Sequence, residues 1–178
     1  MKYINLVAVF SLLTVFACTS SPDVNHEAGD TAGESGQAQH VKVVKFDKLQ
    51  KLRNSNTDTL YVVNFWATWC GPCIKELPYF EAINKQYKDQ PVRVVLVSMD
   101  AVEDLRKVKA FMQKRKLASD VWLLNETDAN TWIDKLEPKW SGAIPATMLF
   151  NNKRRQYHFV EKELKENELQ ALIKRFKP

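Results

Sequence analysis

Two cysteines, Cys70 and Cys73, are separated only by Gly71 and Pro72, and they sit where one hydrophobic periodicity gives way to another. Upstream, residues 59–66 form a nearly continuous apolar run bounded by turn residues, which predicts a strand covered on both faces. Downstream, Ile74, Leu77, Phe80, Ile83 and Tyr87 make one helical stripe, and Pro72 can open that helix because its missing N–H is not needed there. A cysteine at such a junction faces unpaired backbone N–H groups and the positive end of the helix dipole. Both favour thiolate, the nucleophile of disulfide exchange. Lowering a thiol pKa from about 8.5 to about 7 corresponds to roughly 2 kcal/mol, within reach of these effects. Cys70 is expected to be the more exposed, attacking sulfur and Cys73, one turn into the helix, the resolving one.

The competing reading of such a pair is half of a zinc site. Tetrahedral zinc needs four ligands. The chain has no second cysteine pair, and His158 is the one histidine away from the N-terminal segment, so no metal is expected. Three cysteines in 178 residues are also too few for a secreted disulfide scaffold. With 45% hydrophobic residues the chain can bury a core without staples. The net charge of +5 is spread among alternating acidic and basic residues, a solvated surface rather than a nucleic-acid face.

The remaining pattern alternates strands and helices. Strands are expected at residues 41–46, 92–98, 121–124, 146–150 and 155–160, the last two a hairpin across Asn151-Asn152-Lys153-Arg154. Helices are expected at 47–53, 102–116, 129–136 and 165–176. This order implies a mixed α/β sheet covered on two sides. Trp66, Trp122 and Trp132 are expected to pack in the core and Trp69 to form a surface platform beside the sulfurs. Trp140 either frames a partner groove or is buried.

The first forty residues differ in kind. Residues 1–17 have the anatomy of a signal peptide, a short positive start and an apolar run too short to span a membrane. Val15, Ala17 and Cys18 resemble the bacterial lipoprotein cleavage box, with the bulky Phe16 departing from it, so lipidation of Cys18 is expected. Residues 19–40 hold three of the five glycines and no Lys or Arg, too little apolar surface to offset ordering entropy. The expected organisation is a signal peptide (1–17), a lipid-anchored flexible tether (18–40) and one domain (41–178). As a random coil the tether would span roughly 25 Å, and about 70 Å fully stretched.

Trp69-Cys70-Gly71-Pro72-Cys73, preceded by Val62-Val63-Asn64-Phe65-Trp66-Ala67, resembles the active-site region of thioredoxins. Gly142-Ala143-Ile144-Pro145 resembles their cis-proline loop, and Pro78 matches the proline that kinks their active-site helix. With the export signal, the tether and extra sequence at 116–141, the chain is more narrowly similar to TlpA/ResA-like membrane-anchored thioredoxins. The resemblance implies a thioredoxin-like α/β fold, a central mixed sheet flanked by helices, with an extra strand–helix insert before the cis-proline loop. It implies Cys70, Cys73 and Pro145 as catalytic residues, and Trp69, Gly71, Pro72 and Ile144 as contacts for substrate. A cis Ile144–Pro145 bond is inexpensive, about 0.5–1 kcal/mol. Where thioredoxins carry a buried acid this chain has Asn64. The resemblance carries that proton-handling role onto Glu76, which from the residues alone is equally a solvated helix-surface glutamate.

These expectations describe an extracytoplasmic, membrane-anchored lipoprotein that exchanges disulfides with protein substrates, in the direction of reduction, without a cofactor. Thioredoxin is strongly reducing, about −270 mV. Such a reductant needs recharging by a membrane electron-donor protein. An oxidase or isomerase of the same fold, or a non-catalytic binding or chaperone lipoprotein, are the alternatives. A peroxide-reducing enzyme would want a peroxidatic cysteine in a different motif.

Overall fold

The computed structural model describes residues 40–178; the signal peptide expected over 1–17, Cys18 and nearly all of the tether expected over 18–40 lie outside the described residues. The described chain runs β1 (Lys42–Val44), α1 (Phe46–Arg53), β2 (Leu60–Trp66), α2 (Gly71–Gln86), β3 (Val92–Ser98) and α3 (Leu105–Arg115). It continues through β4 (Asp120–Leu124), α4 (Ile133–Leu136), β5 (Ala146–Asn151), β6 (Gln156–Val160) and α5 (Glu166–Phe176). The six strands form one sheet in the order β1-β4-β3-β2-β5-β6. β1, β4, β3 and β2 are parallel, and β5 and β6 are antiparallel to their neighbours.

β2 lies inside the sheet, bonded to β3 on one edge and β5 on the other, and a buried cluster packs on each of its faces, so its sequence is apolar on both. Its side chains alternate: Val62 and Trp66 join one core with Leu77, Phe80 and Ile83 of α2, Val108 and Met112 of α3, and Leu169 and Ile173 of α5. Val63 and Phe65 join the opposite core, with Leu49 of α1, Ile133 and Leu136 of α4, and Trp122, Trp132 and Trp140. The expected core tryptophans are buried. The alternation also fixes Asn64 on the α2 face, where a polar residue must find partners.

The insert expected between residues 116 and 141 supplies β4 and α4, and β4 is wedged between β1 and β3. Several elements are shorter than periodicity predicts. The first strand stops at Val44, where its pairing with β4 ends, and Phe46 already opens α1. The helix expected over 102–116 begins as a 3-10 turn, Val102–Asp104, and ends at Lys116, whose left-handed φ of 54° lets Leu117 N–H reach the Met112 carbonyl. The helix expected over 129–136 is split into a 3-10 turn, Ala129–Thr131, and the single turn of α4, because Trp132 leaves the helical region at φ −133°. Arg155, at φ 54°, belongs to the hairpin turn rather than to β6.

Candidate active site

The chain leaves β2 at Trp66 and turns at once into α2. Cys70 N–H bonds the Ala67 carbonyl at 3.1 Å and closes the turn. Cys70 is the N-cap of α2: its Sγ accepts the Cys73 N–H at 3.3 Å, one of the orphan donors of a helix start. Pro72 stands in the first turn of the helix. Cys70 and Cys73 are joined as a disulfide, their Cα atoms 5.3 Å apart. Cys70 retains a little surface while Cys73 has none. Gly71 and Pro72 are exposed, and a side chain added at Gly71 would enter open space.

Trp69 is 64% exposed beside this pair. Opposite, the Ile144–Pro145 peptide is cis, and the Ile144 carbonyl oxygen lies 3.8 Å from Cys70 Sγ. Trp140 is buried and frames no open surface; its indole Nε1 donates to the Ala143 carbonyl at 2.8 Å and braces the loop from inside. Trp140 also packs on Phe65, with ring centroids 4.5 Å apart.

Glu76 is fully buried, which removes the solvated-surface reading. Helical stripe analysis misses it because α2 is covered on two sides, by the sheet and by the segment between β6 and α5. From the sheet, Asn64 Nδ2 donates to Glu76 Oε1 at 2.7 Å. From the far segment, Leu164 N–H donates to Oε2 at 2.7 Å. The antiparallel register sets Thr147 opposite Asn64, and Asn64 Nδ2 also donates to Thr147 Oγ1 at 3.1 Å. Burial outweighs these hydrogen bonds and pushes the Glu76 carboxyl up to about 7. Glu76 follows Cys73 by one helical turn, on the neighbouring face of α2.

Sequence reasoning misses a second buried carboxylate. Asp100, just beyond β3, accepts the Thr68 N–H at 2.9 Å, the Thr68 hydroxyl at 2.5 Å and the Ser98 hydroxyl at 2.8 Å. It ties the end of β3 to the turn carrying Trp69 and Cys70. An aspartate after a buried strand reads as an ordinary loop residue; only the parallel pairing of β2 with β3 brings it to Thr68. Among the described residues no group of three or more His, Cys, Asp or Glu is arranged to hold a metal ion.

Residues 24–156 match the AhpC/TSA family, about three quarters of the chain. The chain belongs to the AhpC/TSA family. Its relatives include the thiol-disulfide oxidoreductase ResA of Bacillus cereus, 28% identical over 117 residues that make 65% of this chain and 62% of that protein. The ResA of Oceanobacillus iheyensis is 48% identical over 42 residues, 24% of this chain and 22% of that protein. The chain thus spans less than two thirds of the length of these curated relatives. Among solved structures, a thioredoxin-related protein of Neisseria meningitidis superposes with a TM-score of 0.58 at 24% identity, over 69% of this chain and 87% of that one. A secreted disulfide oxidoreductase of Mycobacterium tuberculosis superposes with a TM-score of 0.51 at 20% identity, over 67% and 84%. The likeness to both structures establishes the thioredoxin-like fold for this AhpC/TSA family member.

Proposed function

We propose that this protein is a thiol–disulfide oxidoreductase that acts on protein disulfides through Cys70 and Cys73, in the direction of reduction. The observation that carries the reading is the Cys70–Cys73 pair at the start of α2, facing the cis Ile144–Pro145 peptide and backed by buried Glu76. The ResA relatives, named as thiol-disulfide oxidoreductases, support it.

In the reduced protein, Cys70 thiolate attacks one sulfur of a substrate disulfide. A Cys70–substrate disulfide forms and the other substrate sulfur leaves as thiolate. Cys73 then gives its proton to the Glu76 carboxylate, directly or through water, and its thiolate attacks Cys70 Sγ. The mixed disulfide breaks, the second substrate thiolate departs, and the Cys70–Cys73 disulfide remains. Two electrons have passed to the substrate. Trp69, Gly71 and Pro72 border the Cys70 sulfur, and the backbone of Ile144 pairs with an extended substrate segment beside cis Pro145. No cofactor enters this cycle; a membrane electron-donor protein restores the dithiol. Lipidation at Cys18 and a tether over residues 18–40 would hold the head, residues 41–178, on the extracytoplasmic face of a membrane.

The test is the reduction potential of the Cys70–Cys73 couple, measured against defined thiol–disulfide buffers together with turnover of a protein disulfide. A potential below about −230 mV supports a reductase, and one above about −150 mV turns the assignment to an oxidase or isomerase. A protein that folds yet turns over no disulfide would leave only a binding or chaperone role, whereas loss of turnover in a Cys70→Ser variant that still folds removes that role.

A further inference from the structure

β6 ends at Val160, which is paired with Thr147 of β5. Glu161 therefore leaves the sheet beside the point where the cis-proline loop enters it. Its carboxylate accepts the Ser141 N–H at 3.2 Å, the Ala143 N–H at 3.2 Å and the Ser141 hydroxyl, while Ser141 Oγ also accepts the Ala143 N–H at 3.3 Å. From the core side, Trp140 holds the Ala143 carbonyl. Between these anchors Gly142 takes φ +90°, a conformation that suits glycine. The next residue after Ala143 is Ile144.

Ser141 and Ala143 are exposed, so water would satisfy their N–H groups without Glu161, and the fold does not need this carboxylate to avoid buried unpaired donors. What three charge-assisted hydrogen bonds add is order in the loop. An extended peptide that pairs with the Ile144 backbone must find that backbone fixed, or spend binding energy fixing it. A small disulfide, which meets only the sulfurs, has no such need.

We infer that Glu161 is a positioning residue for the peptide-binding edge: by clamping Ser141 and Ala143 it pre-orders Ile144 and sets the preference for peptide over small disulfides. This rests on the proposed action on protein disulfides. Steady-state kinetics of the protein with a disulfide-cyclised decapeptide and with hydroxyethyl disulfide test it. Glu161→Ala is expected to lower kcat/KM for the peptide about tenfold, chiefly through KM, and to lower it several-fold less for hydroxyethyl disulfide. Glu161→Gln keeps an acceptor oxygen and should recover at least half of that loss on a logarithmic scale. Ser141→Ala, which removes one arm, should show the same split at smaller size, and it carries the test if Glu161→Ala does not fold. Equal losses on both substrates, or an unmoved peptide KM, would overturn the inference. A wild-type protein active on hydroxyethyl disulfide alone would overturn it too, whereas one inactive on both would remove the proposed function beneath it.

Discussion

Asn64 Nδ2 lies 2.7 Å from Glu76 Oε1, so a strand amide and a helix carboxyl form a buried pair behind the cysteines. The pairing is not symmetric. Glu76 takes a second donor, Leu164 N–H, on its other oxygen, whereas Asn64 Oδ1 has no hydrogen-bond partner although it is buried. The carboxyl is thus built to accept, and its neighbour keeps one acceptor unused. Rotating the Asn64 amide would bring that free oxygen to Glu76 when Glu76 carries a proton.

The raised Glu76 pKa makes stability depend on pH in a defined direction. Below the ordinary value of 4.5 both folded and unfolded chains hold the proton, so Glu76 is neutral to folding there. Between 4.5 and about 7 the unfolded chain has lost the proton and the folded one retains it, so unfolding free energy falls as pH rises. The loss should be on the order of 3 kcal/mol by pH 8, where both forms are ionised. Denaturant titrations at pH 5, 6, 7 and 8 are expected to show this decline in wild type and a flatter profile in Glu76→Gln. Parallel profiles would contradict it. Exchange rates should follow the same group: wild type gains a rate inflection near 7 that Glu76→Gln lacks.

Removing the amide shifts that inflection. The Asn64 hydrogen bond favours the ionised carboxyl and holds its pKa down against burial. Asn64→Leu keeps the branched shape within a core that already contains Val62 and Trp66, and it deletes the donor. The rate–pH inflection is expected to move above 7, slowing exchange at neutral pH while leaving the limit at high pH close to wild type. Stopped-flow reduction of a disulfide substrate between pH 6 and 9 reads this directly. A downward shift would show that the amide does not act on Glu76 as its hydrogen bond implies.

Asp100 should matter through geometry. Its carboxylate is 2% exposed and serves three donors, two of them on Thr68. Asp100→Ala leaves the buried Ser98 hydroxyl and the part-buried Thr68 donors without this acceptor and is expected to cost about 2–4 kcal/mol. Asp100→Asn preserves an acceptor for the Thr68 N–H and should cost roughly half as much. Urea titration of both variants checks the order. Equal stability of Asp100→Ala and wild type would mean that solvent reaches the Ser98–Thr68 corner.

The sequence carries the elements and the cysteine junction because those depend on local pattern: the apolar run of β2, the stripe of α2, Pro72 at a helix start. Asn64 and Glu76 show the limit of that pattern. Each is a polar residue with no local signal, and their meeting needs α2 to cross the correct face of β2. The Leu164 donor is further still, 88 residues along the chain, and no periodicity points to a backbone N–H. Asp100 and Glu161 are missed for the same reason: loop carboxylates acquire a role only from the strands they leave. The shortened α4 has a different cause. Trp132 fits the helical period yet turns out of the helix, packing edge-on to Trp140 with ring centroids 5.5 Å apart.

The two glycines of the site should respond in opposite ways. Gly142 has φ +90°, and a Cβ there would lie 3.3 Å from Ile133 Cδ1 of α4, so Gly142→Ala meets both backbone strain and a tight contact. The expected cost is about 1–3 kcal/mol, with peptide KM raised because the strain falls on the loop leading to Ile144. Gly71 has an ordinary φ, opens α2 and finds nothing within 4 Å of an added Cβ. Gly71→Ala should therefore be neutral or stabilise the helix by up to about 1 kcal/mol, since alanine has the higher helix propensity. Thermal or urea unfolding of the two variants side by side gives the contrast. A Gly142→Ala protein as stable as wild type would mean that the loop relaxes to a different path, and the clamp by Glu161 would then be lost with it.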